Sequence, residues 1–214
     1  MDEDISIINT NTKYEKTKNF FIKNKKYLIT FLSIIIVIVF AYFAYGEIQD
    51  KKIKKLSEKY NNILIEFEYS SKADSKKKLI EIIYEKNPTY SPLALYFIID
   101  KEIQSTNEEI NQLFDVIIDE VNLDEEIKNL IIYKKGLFNS NFDTENNLIK
   151  ILNPVINSDS IWKSHALYLM AEYFFDKNQN QKAKEFYNKI LESEKSNKSI
   201  IIETKKRLSR DFSE

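Results

Sequence analysis

The pattern of hydrophobic and polar positions divides the chain into one unbroken apolar stretch and a long periodic remainder. Residues 27–45 carry no charge, and at about 1.5 Å per residue a helix of this length crosses roughly 30 Å of hydrocarbon. A cleaved signal peptide is the alternative, but its apolar core usually spans only about 7–15 residues. Here the stretch is longer, ends without a small-x-small cleavage pattern and is followed by several lysines within residues 51–55. We therefore predict a transmembrane helix at residues 27–45.

Beyond this stretch, apolar residues recur at every third to fifth position, which is typical of amphipathic helices. This spacing predicts one helical stripe from residue 48 to about residue 69 and, after a linker at residues 70–75, a second helix at residues 77–85. The rest of the chain is predicted to form three helix pairs and a closing helix. They cover residues 92–104 with 108–121, 123–139 with 144–156, 161–176 with 181–192, and finally 199–209.

Composition supports a helical fold. Two glycines and three prolines among 214 residues are too few for the many turns of an all-β protein. Three consecutive helix pairs of similar length instead predict an all-α domain in which the pairs stack as an α-solenoid.

The last helix pair has the residue spacing of a tetratricopeptide repeat. Small residues at Ala171 and Ala183 would let its two helices approach closely. In the middle pair Gly136 takes the small position, whereas the bulky Ile98 or Ile99 stands there in the first pair. The predicted repeat-packing residues are Gly136, Trp162, Leu167, Met170, Ala171, Phe174, Ala183, Tyr187 and Ile190. An ordinary helix pair is the alternative for each pair taken singly.

The charge distribution bears on topology and on partners. Six lysines precede the apolar stretch at residues 13–26 and five follow it at residues 51–59. Because these numbers are nearly equal, the positive-inside rule gives little preference for either orientation. Lys23, Lys25 and Lys26 lie closest to the stretch and favour a cytoplasmic N-terminus. The net charge is −1, and acids outnumber bases beyond residue 60, so a nucleic-acid partner is disfavoured. Membrane lipid is the predicted partner of the basic flanks.

Candidate catalytic chemistry is sparse. The chain has no cysteine, a single histidine at His165, and glycines only at Gly46 and Gly136, which leaves no glycine-rich phosphate loop. We therefore predict no catalytic residue, no cofactor and no metal site. A membrane-bound enzyme is the least favoured class of function.

Binding is the favoured class, because first-helix residues off the packing stripe of stacked repeats line a concave surface. Aromatic and apolar side chains on such a surface suit an extended peptide or a partner helix. The predicted protein-binding residues are Leu130, Tyr133, Leu137, His165, Tyr168, Glu172 and Phe175. The alternative for Tyr168 and Phe175 is that they only pack against the closing helix.

Three short motifs accompany these features. They are Phe20-Phe21-x-x-Asn24-x-Lys26 before the apolar stretch, Thr89-Tyr90 at the start of the first helix pair, and Trp162 nine residues before Ala171. Together with a lysine-flanked apolar stretch and degenerate repeats, they resemble the ancillary Sec-translocon subunit / cell-division coordinator TPR-domain family.

The resemblance implies a bacterial inner-membrane protein with a cytoplasmic N-terminus and a periplasmic repeat domain. It implies further that the protein binds Sec translocon subunits and links them to periplasmic chaperones or envelope proteins. A scaffold for envelope assembly or cell division, unconnected with export, is the alternative. The expected organisation is a cytoplasmic tail at residues 1–26, the transmembrane helix at 27–45, juxtamembrane helices at 46–87 and the TPR-like repeat domain at 88–214.

Overall fold

The computed structural model describes residues 14–193 and 195–212, so residues 1–13 of the predicted tail lie outside the described residues. All regular secondary structure in the described residues is helical, which confirms the all-α prediction. The helices are α1 at residues 14–23, α2 (Lys25–Glu66), α3 (Lys72–Tyr84), α4 (Tyr90–Asp100), α5 (Asn107–Glu120), α6 (Glu125–Asn139), α7 (Glu145–Ile156), α8 (Lys163–Asp176), α9 (Asn180–Glu192) and α10 (Lys198–Asp211). The chain divides into two compact units, one ending at Leu56 and the other beginning at Ser57.

The first unit contains α1 and most of α2, which carries the apolar stretch. The most apolar 18-residue window of α2 has a mean hydropathy of 2.6 and is not buried, so this helix is long and apolar enough to cross a membrane. Two hydroxyl side chains within it bond to the helix itself, since Thr30 and Ser33 donate to the backbone carbonyls of Lys26 and Ile29. Neither hydroxyl needs a further partner in an apolar medium.

Two predicted helix boundaries are wrong, and side-chain or backbone capping explains both. α3 begins at Lys72 instead of residue 77, because the Ser71 hydroxyl accepts a 3.1 Å hydrogen bond from the backbone N–H of Asp74. Most of the predicted linker at residues 70–75 is therefore helical. α4 ends at Asp100 instead of residue 104, because Glu102 adopts the left-handed conformation with a φ of 48°.

The helices of the second unit pack in chain order from α3 to α10, each against the next. In addition, α3 contacts α5, α6 contacts α8, and α8 contacts α10. Thr106, Thr144 and Asn197 fix the starts of α5, α7 and α10, because each side chain accepts hydrogen bonds from backbone N–H groups of the first turn. Neighbours in sequence therefore make most of the packing contacts in this unit.

Most of the predicted repeat-packing residues belong to the core of this unit. Those that are at most 1% exposed are Leu167, Met170, Ala171, Phe174, Ala183, Tyr187 and Ile190. Gly136 is a position of close approach, since a Cβ built on it would lie 2.4 Å from Cδ2 of Leu152 on α7. Trp162 is only half-buried at the start of α8, where its ring stacks on that of Tyr133 with centroids 6.1 Å apart.

Candidate protein-binding groove

A groove separates α4 from α6 in the second unit. α6 packs against α8, and α8 packs against α10, but α4 and α6 do not pack against each other to a comparable extent. Both contact α5 instead, so α4 and α6 form the two sides of the groove and α5 forms its base. Two cavities of about 460 and 540 Å³ occupy this space. Volumes of roughly 300–1,000 Å³ are typical of binding pockets.

Both cavities are lined mainly by apolar and aromatic side chains. The larger one, which we call the start cavity, lies where α4 and α6 begin and is lined by Leu93, Tyr96, Ile127 and Leu130 among others. The smaller one, the end cavity, lies where these helices end and is lined by Tyr96, Phe114, Leu137, Phe138 and Phe142 among others. The most exposed apolar side chains, each 40–45% exposed, are Leu93, Ile127, Leu137 and Phe142. Large apolar side chains gathered on facing walls are typical of an interaction site.

Tyr96 forms the partition between the two cavities, because it lines both of them. Its hydroxyl oxygen is buried and has no hydrogen-bond partner in the described part of the chain. Burial raises the pKa of the Tyr96 phenol to about 12, so the group stays protonated at neutral pH. Since the hydroxyl makes no bond, packing of the aromatic ring holds Tyr96 in this position.

The structure brings two of the predicted binding residues into the groove. Leu130 lines the start cavity, and Leu137 lines the end cavity. Leu93, Tyr96 and Ile127 are not among the binding residues predicted from the sequence. A signal for them exists, because Leu93 and Tyr96 on α4 have the same three-residue spacing as Ile127 and Leu130 on α6, which places each pair on one helix face.

Tyr133 and His165 lie away from the groove, in an aromatic cluster between α6 and α8. The Tyr133 ring stacks on Trp162 and meets the His165 ring edge to face, with the latter centroids 5.8 Å apart. The Nδ1 atom of His165 is buried without a hydrogen-bond partner among the described residues, and burial lowers the pKa of the imidazole. This histidine is therefore neutral at pH 7 and contributes to packing between α6 and α8.

The three remaining predicted residues, Tyr168, Glu172 and Phe175, lie against α9 and the closing helix α10. Glu172 accepts hydrogen bonds from both the Arg207 guanidinium, at 2.9 Å from Nε, and the Tyr187 hydroxyl. The ring of Phe175 lies 5.6 Å from that of Phe212, and the ring of Tyr168 lies 5.7 Å from that of Tyr187. Phe175 therefore packs against the closing helix, whereas the aromatic contact of Tyr168 is with α9.

Polar groups are concentrated at the two ends of the groove. Asn122 and Asp124 line the start cavity, while Lys134 and Asn141 line the end cavity. None of these four side chains bonds to another described residue, and Asp124 makes no capping bond although it precedes α6. No group of three or more His, Cys, Asp or Glu side chains that could hold a metal ion occurs in residues 14–193 and 195–212. The arrangement suits binding of a partly apolar chain segment.

No protein-family model, curated protein or solved structure matches this chain. The groove and the apolar helix α2 are therefore the features from which a function has to be inferred.

Proposed function

We propose that this protein is a non-catalytic scaffold, tethered to a membrane by α2, that binds other proteins through the groove between α4 and α6. The observation that carries the proposal is the pair of apolar cavities with exposed side chains on facing walls. Such a surface costs solubility unless a partner covers it. The helix pairs from α4 to α9 would then act as degenerate TPR-like repeats in a short α-solenoid, an architecture that suits extended binding surfaces.

The tether follows from the length and hydropathy of α2 and from the lysines that flank its apolar stretch. A membrane anchor confines a binding domain to a thin layer beside the bilayer, which raises its effective concentration towards membrane partners. In the proposed arrangement the tail is cytoplasmic and the domain is periplasmic, at a bacterial inner membrane. This orientation rests on Lys23, Lys25 and Lys26 and on the family resemblance.

The proposed partners are Sec translocon subunits together with periplasmic chaperones or envelope proteins. They rest on the family resemblance alone. The alternative, a scaffold for envelope assembly or cell division, uses the same groove and differs only in the proteins that it holds.

Photo-crosslinking in the native membrane tests the proposal. A photoreactive benzophenone side chain would replace Ile127 in one variant and Leu137 in another, so that both ends of the groove are sampled. The matched control is Ile202 on α10, which is 56% exposed but lies outside the groove. We expect both groove positions to yield the same protein adducts and Ile202 to lack them. Translocon subunits among the adducts would support the export role, whereas only envelope or division proteins would support the alternative. Identical adducts from all three positions, or none from the groove, would refute the proposed function.

A further inference from the structure

We infer that the groove binds an extended peptide segment of about five residues, with two apolar side chains seated on either side of Tyr96 and its backbone held at both ends by polar side chains. This inference rests on the proposed function and specifies the kind of partner segment. It also distinguishes an extended segment from a docked helix or a second copy of this chain.

The length of the groove sets the length of the segment. Along α6 the lining residues run from Ile127 to Phe138, which at about 1.5 Å per residue is roughly 16 Å. An extended chain rises about 3.3 Å per residue, so roughly five residues cover this distance. A helix of the same length would contain about eleven residues, and the space between α4 and α6 would have to be about 10–12 Å wide to hold it.

The partition at Tyr96 sets the spacing of the apolar side chains. The lining residues of the two cavities are centred about seven positions apart on α6 and about five apart on α4, which corresponds to roughly 7–10 Å. In an extended chain, side chains two residues apart lie on the same face and are separated by roughly 6.6 Å. Adjacent side chains point to opposite faces and could not enter both cavities.

The polar groups at the two ends favour an extended chain over a helix. A helix satisfies its own backbone N–H and C=O groups, whereas an extended segment leaves them unpaired and needs partners for those that become buried. Asn122 and Asn141 can each donate and accept hydrogen bonds, Asp124 can accept from N–H groups, and Lys134 can donate to carbonyl oxygens. All four line the cavities, and none bonds to another described residue.

Defined peptides provide the test, with the full-length chain in lipid nanodiscs and fluorescence anisotropy as the readout. The extended probes are labelled heptapeptides of Gly and Ser carrying two Leu residues at spacings of one, two or three positions. The helical probe is a stapled twelve-residue peptide with Leu at the first, fifth and eighth positions. We expect the spacing of two to bind at least about tenfold more tightly than the spacings of one and three, whose Leu side chains point to opposite faces, and more tightly than the helix. Equal binding of all spacings, tighter binding of the stapled helix, or no binding would overturn the inference.

Variants separate the role of the end groups from that of the apolar walls. Replacing both Asn122→Ala and Asn141→Ala should weaken the best extended probe about tenfold, because two backbone contacts are lost. Asn188→Ala on α9, an exposed asparagine outside the groove, is the matched control and should leave binding unchanged. An unchanged affinity in the double variant would overturn the backbone contacts. Two outcomes would overturn this inference and leave groove binding itself intact. In the first, the groove crosslinks are made only to a second copy of this chain. In the second, partner proteins crosslink to the groove but no peptide binds.

Discussion

At the scale of single residues, the close approach of α6 and α7 depends on an atom that Gly136 lacks. A Cβ there would lie 2.4 Å from Cδ2 and 2.8 Å from Cγ of Leu152, which is itself fully buried. Because protein interiors are close-packed, a fully buried side chain such as Leu152 has little room to shift. The absent methyl group therefore determines how closely α6 and α7 approach.

We predict that Gly136→Ala destabilises the protein although alanine is the better helix former. Overpacking typically costs about 1–3 kcal/mol, and the gain in helix propensity offsets about 1 kcal/mol of it, so a net loss of up to about 2 kcal/mol is expected. Urea unfolding of the full chain in mild detergent measures this, with the single tryptophan, Trp162, as the fluorescent probe. Gly46→Ala is the control, because no atom lies within 4 Å of its Cβ. A Gly136 variant as stable as the Gly46 variant would contradict the close approach.

Residue-level capping also explains why the end of α4 was predicted four residues too late. Lys86, Glu102 and Asn178 have positive φ values and follow the ends of α3, α4 and α8. Glycine is the usual residue at such positions and asparagine the next most common, so Asn178 marks the end of α8 in the sequence. After α4 the same backbone conformation is adopted by Glu102, a residue type that carries no comparable signal.

At the scale of elements, the apolar periodicity was sufficient to predict the helices from α4 to α10. They occur where they were predicted, with shifted ends, because burial of one helix face produces the period that the sequence shows. The pairing of α4 is not as predicted, since α4 packs more extensively against α3 than against its expected partner α5. The groove could not be predicted in the same way. It results from α4 and α6 not packing against each other, and the period within a single helix contains no information on the distance to a helix two elements away.

The contacts of α10 explain why Tyr168, Glu172 and Phe175, three of the seven predicted binding residues, are only partly exposed. Arg207 bonds to Glu172 on α8 and to Asp211 on its own helix, and its guanidinium lies 5.3 Å from the ring centre of Phe175. Hydrogen bonds from Arg210 and also from Arg207 lower the pKa of Asp211 to about 2, so this carboxylate stays ionised above about pH 4. A charged pair that is half-buried holds the closing helix against the first helix of the preceding pair.

We predict that Arg207→Met loosens α10 and destabilises the protein by about 1–3 kcal/mol, since hydrogen bonds between charged groups are lost while Glu172 stays half-buried. Hydrogen–deuterium exchange should show that the substitution speeds the exchange of backbone amides in α10, relative to the unaltered protein, and leaves the amides of α4 to α7 nearly unchanged. Arg210→Met is the matched control, because Arg210 is exposed and, among the described residues, its side chain bonds only to Asp211 on the same helix. Equal exchange in the two variants would show that Arg207 does not fasten the helix.

At the scale of the whole molecule, a helix suited to a bilayer and a groove suited to a peptide occur on one chain. Together they are the basis of the proposed membrane-tethered scaffold. The order along the chain was predictable, because a charge-free stretch and a 3.6-residue period are both visible without a structure. The orientation across the membrane is not a property of the fold and depends on charges on either side of the apolar stretch.

We predict that the N-terminus is cytoplasmic and that the domain beyond residue 46 is periplasmic. Lys23, Lys25 and Lys26 lie directly before the apolar stretch, whereas Glu47 and Asp50 come before the first lysine on the other side. Basic residues near a span resist translocation and acids contribute little, so the lysines closest to the membrane should decide an otherwise even balance.

Alkaline phosphatase fused after residue 214 should therefore be active in a Gram-negative host, and a reporter that functions only in the cytoplasm should be inactive at the same point. Replacing all three lysines with serine leaves the apolar stretch intact and should lower the phosphatase activity, because the remaining charges then favour the opposite orientation. An inactive phosphatase together with an active cytoplasmic reporter in the unaltered chain would place the groove in the cytoplasm and rule out periplasmic partners.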